Sequence, residues 1–358
     1  MMANVPASVN LEGRRIAVTG ATGFIGRALC AELGRSGAIV TALLRSRHGH
    51  DLMSSYAIKG VVAPLVAGQT LQAALSGHDT VINLAYDIRA GASANLTAFE
   101  ALLSAAAQAG IGQIIHVSSA VVYDDWPGGD AKGCISETSS ITKAGALGYR
   151  AAKIEMEKQL YSQAIPATIL QPTIVYGPGS EQWTLAQLHA LRHGGIILPD
   201  PCGSCALVHV DDVVQALLRA AALAQPTTDR FLISGPETPG WDTLFSEYAR
   251  IAGAPPPRKE PLNALLRRLP APKPDTIKAP SQAARAGSAL RQIIGRQRFD
   301  RLKACLLGLS GASGPVWPDA AHLALYTARP LINISHARYI LGYVPVTTLE
   351  QGLASIAK

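Results

Sequence analysis

A glycine-rich turn near the N-terminus constrains the fold of this chain more than any other stretch. Gly20, Gly23 and Gly26 follow a short apolar run at residues 16–18, and a helical pattern of apolar residues begins directly after them. This order predicts a strand, a tight turn and a helix. In such a turn Gly20 supplies a positive φ, Gly23 lets backbone N–H groups approach a pyrophosphate, and Gly26 lets helix and strand pack closely. We therefore predict a dinucleotide-binding turn at this helix N-terminus.

Strand and helix patterns alternate after this turn. Apolar runs rich in β-branched residues lie at residues 39–44, 80–85 and 114–118, and a helical pattern at 95–109 ends at Gly110. Later patterns predict strands at 167–170 and 231–235 and helices at 211–222 and 241–252. Continuous apolar strands separated by helices are typical of a parallel sheet covered on both faces. The sequence thus predicts a doubly wound α/β fold.

The predicted domain organisation follows from these patterns. We predict that residues 1–171 form a dinucleotide-binding domain, which a later segment at about 207–235 completes. Residues 172–206 and 236–358 form a smaller, mainly helical substrate-binding domain, with a basic helical segment at about 255–310.

Composition limits the class of protein. Among 358 residues, 48% are hydrophobic and 16% charged, which indicates a globular chain rather than a disordered one. We find no apolar run of the roughly 20 residues that span a bilayer and no signal-peptide pattern at the N-terminus. Five cysteines, an odd number, do not suggest a secreted disulfide framework. We expect a cytoplasmic enzyme.

The net charge of +7 is concentrated in one segment. Residues 258–303 carry twelve basic and three acidic side chains, so the rest of the chain is slightly acidic. A solvated helical lid on the substrate domain is the favoured interpretation, and docking on an anionic membrane surface is the alternative. Nucleic-acid binding is disfavoured, because Phe299 is the only aromatic residue of this segment that could stack on bases.

The end of the second predicted strand bears on cofactor choice. An acidic residue there would bind the ribose 2′-hydroxyl of NAD, whereas an arginine accommodates the 2′-phosphate of NADP. Here the strand ends with Arg45, Arg47 follows, and no carboxylate occurs before Asp51. We predict NADP, with NAD as the alternative, and Arg45 on the phosphate with Arg47 as a second candidate. A solvated loop with two arginines is the other interpretation.

A serine, a tyrosine and a lysine form the candidate catalytic group. Ser118 and Ser119 end a predicted strand, and Tyr149 and Lys153 share one face of a predicted helix. A serine hydroxyl could polarise a substrate carbonyl. An ammonium about 6 to 7 Å from the phenol would contribute about 2.5 kcal/mol, or roughly two pKa units, toward the phenolate. We therefore expect Lys153 to lower the pKa of Tyr149. An exposed amphipathic helix end is the alternative.

At these motifs the chain resembles an extended short-chain dehydrogenase/reductase of the NAD-dependent epimerase/dehydratase type, which has a Rossmann-type fold. The matching pieces cover nearly the whole chain in the family's order: residues 19–26, 83–85, 117–123, 149–153, 172–179, 208–213 and 337–345.

The resemblance implies a role for individual residues. Ser119 would be the catalytic serine, Tyr149 the acid/base, and Lys153 the residue that binds the nicotinamide ribose. Asn95, opening its helix, would lie near that lysine, and Pro172 beside the nicotinamide. Further cofactor contacts would come from Gly20, Thr22, Gly23, Phe24, Ile25, Gly26, Leu84 and Ala85.

Two departures from the family pattern bear on function. Gln171 stands where an arginine is common, and Thr173 stands where nucleotide-sugar enzymes often carry an asparagine. We therefore predict an NADP(H)-using oxidoreductase for a carbonyl or alcohol on a small, sterol-like, polyketide-like or sugar-derived substrate. A nucleotide-sugar epimerase or dehydratase with tightly bound NAD(P), and a non-catalytic dinucleotide-sensing regulator, are the alternatives. Whether the chain forms a homodimer is left open.

Two other clusters invite a functional interpretation. His189, His193, Cys202 and Cys205 have ligand types and spacing that allow a zinc site or a redox pair, but ordinary turn residues are favoured and no metal is predicted. Asp211 and Asp212 begin a predicted helix, where we interpret them as caps rather than catalytic groups.

Overall fold

The structure is a computed structural model that describes residues 9–128, 133–142, 144–270 and 314–357. Its strands are β1 (Arg15–Thr19), β2 (Ile39–Leu44), β3 (Lys59–Val62), β4 (Thr80–Asn83), β5 (Gln113–Val117), β6 (Cys134–Ile135), β7 (Ala167–Pro172), β8 (Ile174–Tyr176), β9 (Ile197–Asp200), β10 (Leu207–His209), β11 (Asp229–Ile233), β12 (Arg258–Pro261) and β13 (Leu331–Ile332).

Helices connect these strands. They are α1 (Phe24–Leu33), α2 (His50–Ser55), α3 (Gln69–Leu75), α4 (Ala92–Ala109), α5 (Gly148–Tyr161), α6 (Ala186–His193), α7 (Val210–Ala221), α8 (Trp241–Ala252), α9 (Leu262–Arg268), α10 (Ala320–Thr327), α11 (Ser335–Leu341) and α12 (Leu349–Ile356). Short 3₁₀ turns lie at Arg47–Gly49 and Ala120–Val122, and a π turn at Glu181–Leu185.

Seven parallel strands form the main sheet in the order β11-β7-β5-β4-β1-β2-β3. Strand β1 lies between β2 and β4, since Val18 pairs with both Ala42 and Ile82. Every residue of β4, β5 and β7 is buried, as expected for a sheet with helices on both faces. The predicted doubly wound, Rossmann-type fold is confirmed.

Element boundaries differ from the sequence prediction at a few places. The predicted helix end at Gly110 is confirmed, and this glycine has a φ of +71°. Helix α4 begins at Ala92, so Asn95 lies within its first turn rather than opening it. Strand β4 ends at Asn83, because Leu84 and Ala85 leave the sheet to pack against Gly20.

Three hydrophobic clusters account for most of the core. Two of them draw on the sheet and its flanking helices. The third lies among β8–β10, α6 and α8, and includes Tyr176, Trp241, Phe245, Tyr248 and Tyr326. The two-domain division stays a prediction. None of the helices in the described ranges is long and apolar enough to cross a membrane.

Part of the basic segment is described. Helix α9 lies within the predicted basic helical segment, whereas residues 271–313 lie outside the described residues. Within the described part, Arg258 pairs with Glu260 at 3.0 Å and Lys259 with Asp242 at 2.6 Å. The guanidinium of Arg268 lies 3.6 Å from the ring centroid of Trp317. These three cations therefore bind groups of the chain itself.

The start of α7 corrects one prediction. His209 is the N-cap, and its Nδ1 accepts the backbone N–H of Asp211. The buried carboxylate of Asp212 instead accepts the backbone N–H groups of Val346 and Thr347, at 3.0 and 3.2 Å. The interpretation of Asp212 as a helix cap is wrong, because it holds a segment distant in sequence.

Candidate functional site

The glycine turn is packed too closely for any side chain. Gly20 has a φ of +66°, and a Cβ there would lie 2.7 Å from the carbonyl carbon of Leu84 and 2.8 Å from the nitrogen of Ala85. A Cβ on Gly26 would lie 2.2 Å from the carbonyl oxygen of Gly20. At Gly20 and Gly26 the turn therefore packs directly against other backbone, the close approach that the glycines of a dinucleotide-binding turn allow.

The N-terminus of α1 completes this cradle. Gly23 is the N-cap, and no side chain accepts a hydrogen bond there. The first N–H groups of the helix are thus available to an anion, whose charge the helix dipole also favours. Thr22 is exposed, and Phe24 and Ile25 are half-buried. These residues fit a dinucleotide, and the individual contacts predicted for them stay predictions.

The loop after β4 is held by two asparagines. Asn83 accepts hydrogen bonds from the Thr19 hydroxyl, at 2.6 Å, and from the Ala85 backbone, at 3.3 Å. Asn95 accepts the backbone N–H of Asp87 at 2.8 Å and donates to its carbonyl at 3.0 Å. The amide of Asn95 therefore positions this loop directly.

Ser119, Tyr149 and Lys153 come together at the carboxyl ends of β5 and β7. The Ser119 hydroxyl lies close enough to the Tyr149 phenol to favour its ionised form. The Nζ of Lys153 donates to the carbonyl of Val117 at 2.7 Å and lies 5.7 Å from the centroid of the Tyr149 ring. Pro172 is buried at the end of β7. The structure thus brings the serine, the phenol and the ammonium close together, as the sequence pattern predicts.

Desolvation is the main influence on the electrostatics of this group. Desolvation raises the pKa of Tyr149 to about 12, although the nearby Ser119 hydroxyl acts in the opposite direction. Burial also lowers the pKa of Lys153 to about 7, against the attraction of Glu157. The net shift of the Tyr149 pKa is thus upward because desolvation is its largest cause, and the lowering predicted from Lys153 stays a prediction.

Tyr86 is a neighbour that sequence reasoning missed. Its ring meets that of Tyr149 edge to face, with centroids 4.9 Å apart, and Lys153 Nζ lies 5.1 Å from its centroid. The Tyr86 ring therefore packs against both catalytic candidates. Its position directly after residues 83–85, which match the family pattern, could have identified Tyr86 from the sequence.

A buried polar network beneath the lysine was also missed. Glu157 lies one turn after Lys153 on α5, and its carboxylate accepts hydrogen bonds from the Ser118 hydroxyl and, at 3.0 Å to each oxygen, from the Gln171 amide. Tyr123 donates to the Gln171 carbonyl at 2.5 Å. Burial raises the pKa of Glu157. The two serines therefore differ in their neighbours: Ser118 binds Glu157, whereas Ser119 acts on the phenol of Tyr149.

Arg150 ties the tyrosine helix to the serine loop. Its guanidinium donates to the carbonyls of Val121 and Val122, at 3.1 and 3.2 Å, and pairs with Asp124. Because Arg150 directly follows Tyr149, these bonds fix the separation between Tyr149 and Ser119. The sequence offers no signal for this contact, which depends on how α5 lies across the loop.

The structure gives Arg45 a partner. Its guanidinium forms a 3.0 Å ion pair with Asp87, and the two side chains are 78% and 42% exposed. Arg47 lies with His50, Asp51 and Val62 along an open cavity of about 570 Å³ near the ends of β2 and β3.

The His and Cys cluster makes protein contacts. The thiols of Cys202 and Cys205 donate to the carbonyls of Pro199 and Pro239, and the rings of His189 and His193 stack at 4.1 Å. Burial raises the pKa of Cys202 to about 11. Within the described ranges, no three side chains of metal-binding type form a group.

The parallel sheet, the glycine turn and the grouped serine, tyrosine and lysine define a class of nicotinamide-dinucleotide enzymes. The sequence model of the NAD dependent epimerase/dehydratase family matches residues 16–233, more than half of the chain. The chain belongs to this family and is an enzyme of the extended short-chain dehydrogenase/reductase type.

Individual relatives are more distant. The chain is 26% identical to a 4-hydroxy-2-methyl-3-oxo-4-farnesyl-3,4-dihydroquinoline-1-oxide ketoreductase from Stigmatella aurantiaca, over 96% of this chain and 95% of that protein. It is 26% identical to a 2-alkyl-3-oxoalkanoate reductase from Stenotrophomonas maltophilia, over 95% and 97%. Among solved structures, MoeE5 in complex with UDP-glucose and NAD superposes with a TM-score of 0.65 at 21% identity, covering 96% of this chain and 97% of that one.

Proposed function

We propose that this enzyme reduces a ketone that carries a long apolar chain, with NADPH as the reductant. The observation that carries the proposal is the grouping of Ser119, Tyr149 and Lys153, whose Nζ lies 5.7 Å from the centroid of the Tyr149 ring. The phenol holds its proton at neutral pH, and desolvation raises its pKa further. A protonated phenol is suited to donate a proton to a developing alkoxide, which is the reductive direction.

Each residue has a distinct part in this mechanism. A bound nicotinamide dinucleotide supplies the hydride. The hydroxyl of Ser119 donates a hydrogen bond to the substrate oxygen and so stabilises the charge that develops there. Tyr149 then passes its phenolic proton to that oxygen. Lys153 is anchored by the Val117 carbonyl and would hold the nicotinamide ribose beside Tyr149.

Exposed apolar side chains lie near Tyr86 and Tyr149 in sequence. Ile88, two residues after Tyr86, is 75% exposed, and Leu147, two residues before Tyr149, is 70% exposed. They could cover an apolar chain of a substrate. The names of the two relatives point the same way, because each combines an oxo group with a farnesyl or alkyl substituent. Thr173 is buried and its hydroxyl bonds Ser234 at 3.3 Å, which leaves it unsuited to a sugar diphosphate.

The test is net consumption of NADPH by the purified protein with a 2-alkyl-3-oxoalkanoate. We expect one NADPH oxidised for each alcohol formed, and a higher kcat/KM than for the matched 3-oxoalkanoate without the alkyl branch. A UDP-sugar serves as the counter-substrate. Conversion of that sugar without net NADPH consumption, together with no turnover of either ketone, would contradict the proposal in favour of an epimerase.

The rates of the two reaction directions should depend differently on pH. Oxidation of the alcohol needs the phenolate of Tyr149, so with a pKa of about 12 its rate should rise through the whole range from about pH 7 to about pH 10. Reduction should be fastest below pH 7 and decline above it, because Lys153, with a pKa of about 7, then loses the charge that assists proton release from Tyr149.

Initial rates in both directions at saturating dinucleotide check this pH dependence. An oxidation rate that reaches a plateau below about pH 8 would show that the phenol ionises near neutrality. Such a result would contradict the assignment of Tyr149 as a protonated donor.

A further inference from the structure

An ion pair crosses the end of the strand that leads into the glycine turn. Arg45 directly follows β2, and Asp87 lies in the loop after β4. Strand β1 lies between β2 and β4, so the 3.0 Å bridge from Arg45 to Asp87 spans the carboxyl end of β1. In sheets of this kind ligands bind beyond the carboxyl ends of the strands. The bridge therefore lies at the dinucleotide-binding edge.

Asp87 is fixed in this position. Both of its backbone polar groups are bonded by the side chain of Asn95, which is buried. The backbone N–H of Arg89 donates to one carboxylate oxygen, Oδ1, at 3.0 Å, and Arg45 binds the other, Oδ2. Hydrogen bonds from Arg89 and Arg45 outweigh partial burial and hold the pKa of Asp87 below its usual range. The carboxylate is thus a fixed negative charge at neutral pH.

Such a charge opposes a second anion on the same arginine. An arginine at the end of the second strand favours the 2′-phosphate of NADP, whereas NAD has only a hydroxyl there. A phosphate that binds Arg45 must share its guanidinium with Asp87, or displace it, and is repelled by the carboxylate in either case. The neutral 2′-hydroxyl of NAD meets no comparable repulsion.

We infer that Asp87 is a specificity-determining residue, whose carboxylate occupies Arg45 and thereby limits the preference of this enzyme for NADPH over NADH. The inference rests on the proposed use of a nicotinamide dinucleotide. Cofactor choice would then depend on the loop after β4 as well as on the end of β2.

The test measures binding rather than turnover. NADPH and NADH are titrated by fluorescence into wild-type protein, Asp87→Asn, Arg45→Gln and the double variant. Asparagine keeps the Oδ1 acceptor for the Arg89 backbone and removes both the charge and the Oδ2 acceptor of Arg45. Glu32→Gln is the matched control, since Glu32, near the end of α1, forms an exposed pair with Arg35 at 2.6 Å, away from the turn.

We expect Asp87→Asn to bind NADPH about threefold more tightly or better, as removal of an exposed opposing charge allows, and to bind NADH as the wild type does. The gain should vanish in the double variant, and Glu32→Gln should change neither affinity. Equal changes for both dinucleotides, no change, or a gain that persists without Arg45 would overturn the inference. Wild-type protein that binds neither dinucleotide would overturn the proposed function as well.

Discussion

Replacement of Tyr149 by phenylalanine should lower kcat for ketone reduction by about 10²- to 10⁴-fold, the usual range for loss of a general acid. The phenylalanine ring keeps the edge-to-face contact with Tyr86 at 4.9 Å, so the helix and the loop after β4 should stay in place. Only the proton donor and its interaction with the Ser119 hydroxyl are removed. The dissociation constant for NADPH should therefore change by less than about twofold.

Tyr161 offers a matched control for this substitution. It lies on the same helix, at its last residue, and is 48% exposed. Tyr161→Phe removes the same hydroxyl from α5 at a position outside the site, and we expect wild-type rates. Steady-state kinetics with fluorescence titration of NADPH check both variants. A Tyr149→Phe enzyme that keeps more than about a tenth of its kcat would show that another group delivers the proton.

Replacement of Gly20 by alanine should abolish dinucleotide binding. The residue has a φ of +66°, and the new Cβ would lie 2.7 and 2.8 Å from backbone atoms of Leu84 and Ala85. Strain at a positive φ costs an alanine about 1 to 2 kcal/mol, and neither backbone segment can relieve the clash by rotating a side chain. The turn and the loop after β4 must separate, which misplaces the backbone groups that face a pyrophosphate.

Gly91→Ala controls for the substitution itself. Gly91 has an ordinary φ of −66°, and a Cβ there would meet no atom within 4 Å. The alanine should be neutral or stabilise the fold by up to about 1 kcal/mol. Thermal unfolding and NADPH titration on both variants compare the two sites. Tight NADPH binding by Gly20→Ala would contradict the placement of the dinucleotide at this turn.

The fold could be predicted from the sequence because its signals are local. Gly110 and Gly253 end helices in the left-handed conformation that glycine adopts readily, and Trp241–Ala252 is helical as its apolar spacing predicts. Tyr149 and Lys153 share a face because both lie on one helix, four residues apart. Such patterns need no knowledge of distant contacts.

The missed features depend on contacts between distant parts of the chain. Asp87 meets Arg45 only because the strands that precede them, β4 and β2, both lie next to β1 in the sheet. Asp212 binds Val346, 134 residues away. The spacing of Tyr149 and Lys153 predicts their shared helix face but not the burial of the lysine, which lowers its pKa to about 7. Glu157, four residues after Lys153, was the missed residue that helical spacing could have identified.

Transfer of deuterium from labelled cofactor tests the central claim most directly. NADPH deuterated at both C4 positions is added to wild-type protein with the 2-alkyl-3-oxoalkanoate, and the alcohol is analysed by mass spectrometry. A reductase that takes its hydride from added NADPH should place one deuterium on the former carbonyl carbon of each alcohol molecule. Alcohol that forms without deuterium, or no alcohol from any ketone while a sugar nucleotide is converted, would contradict this account.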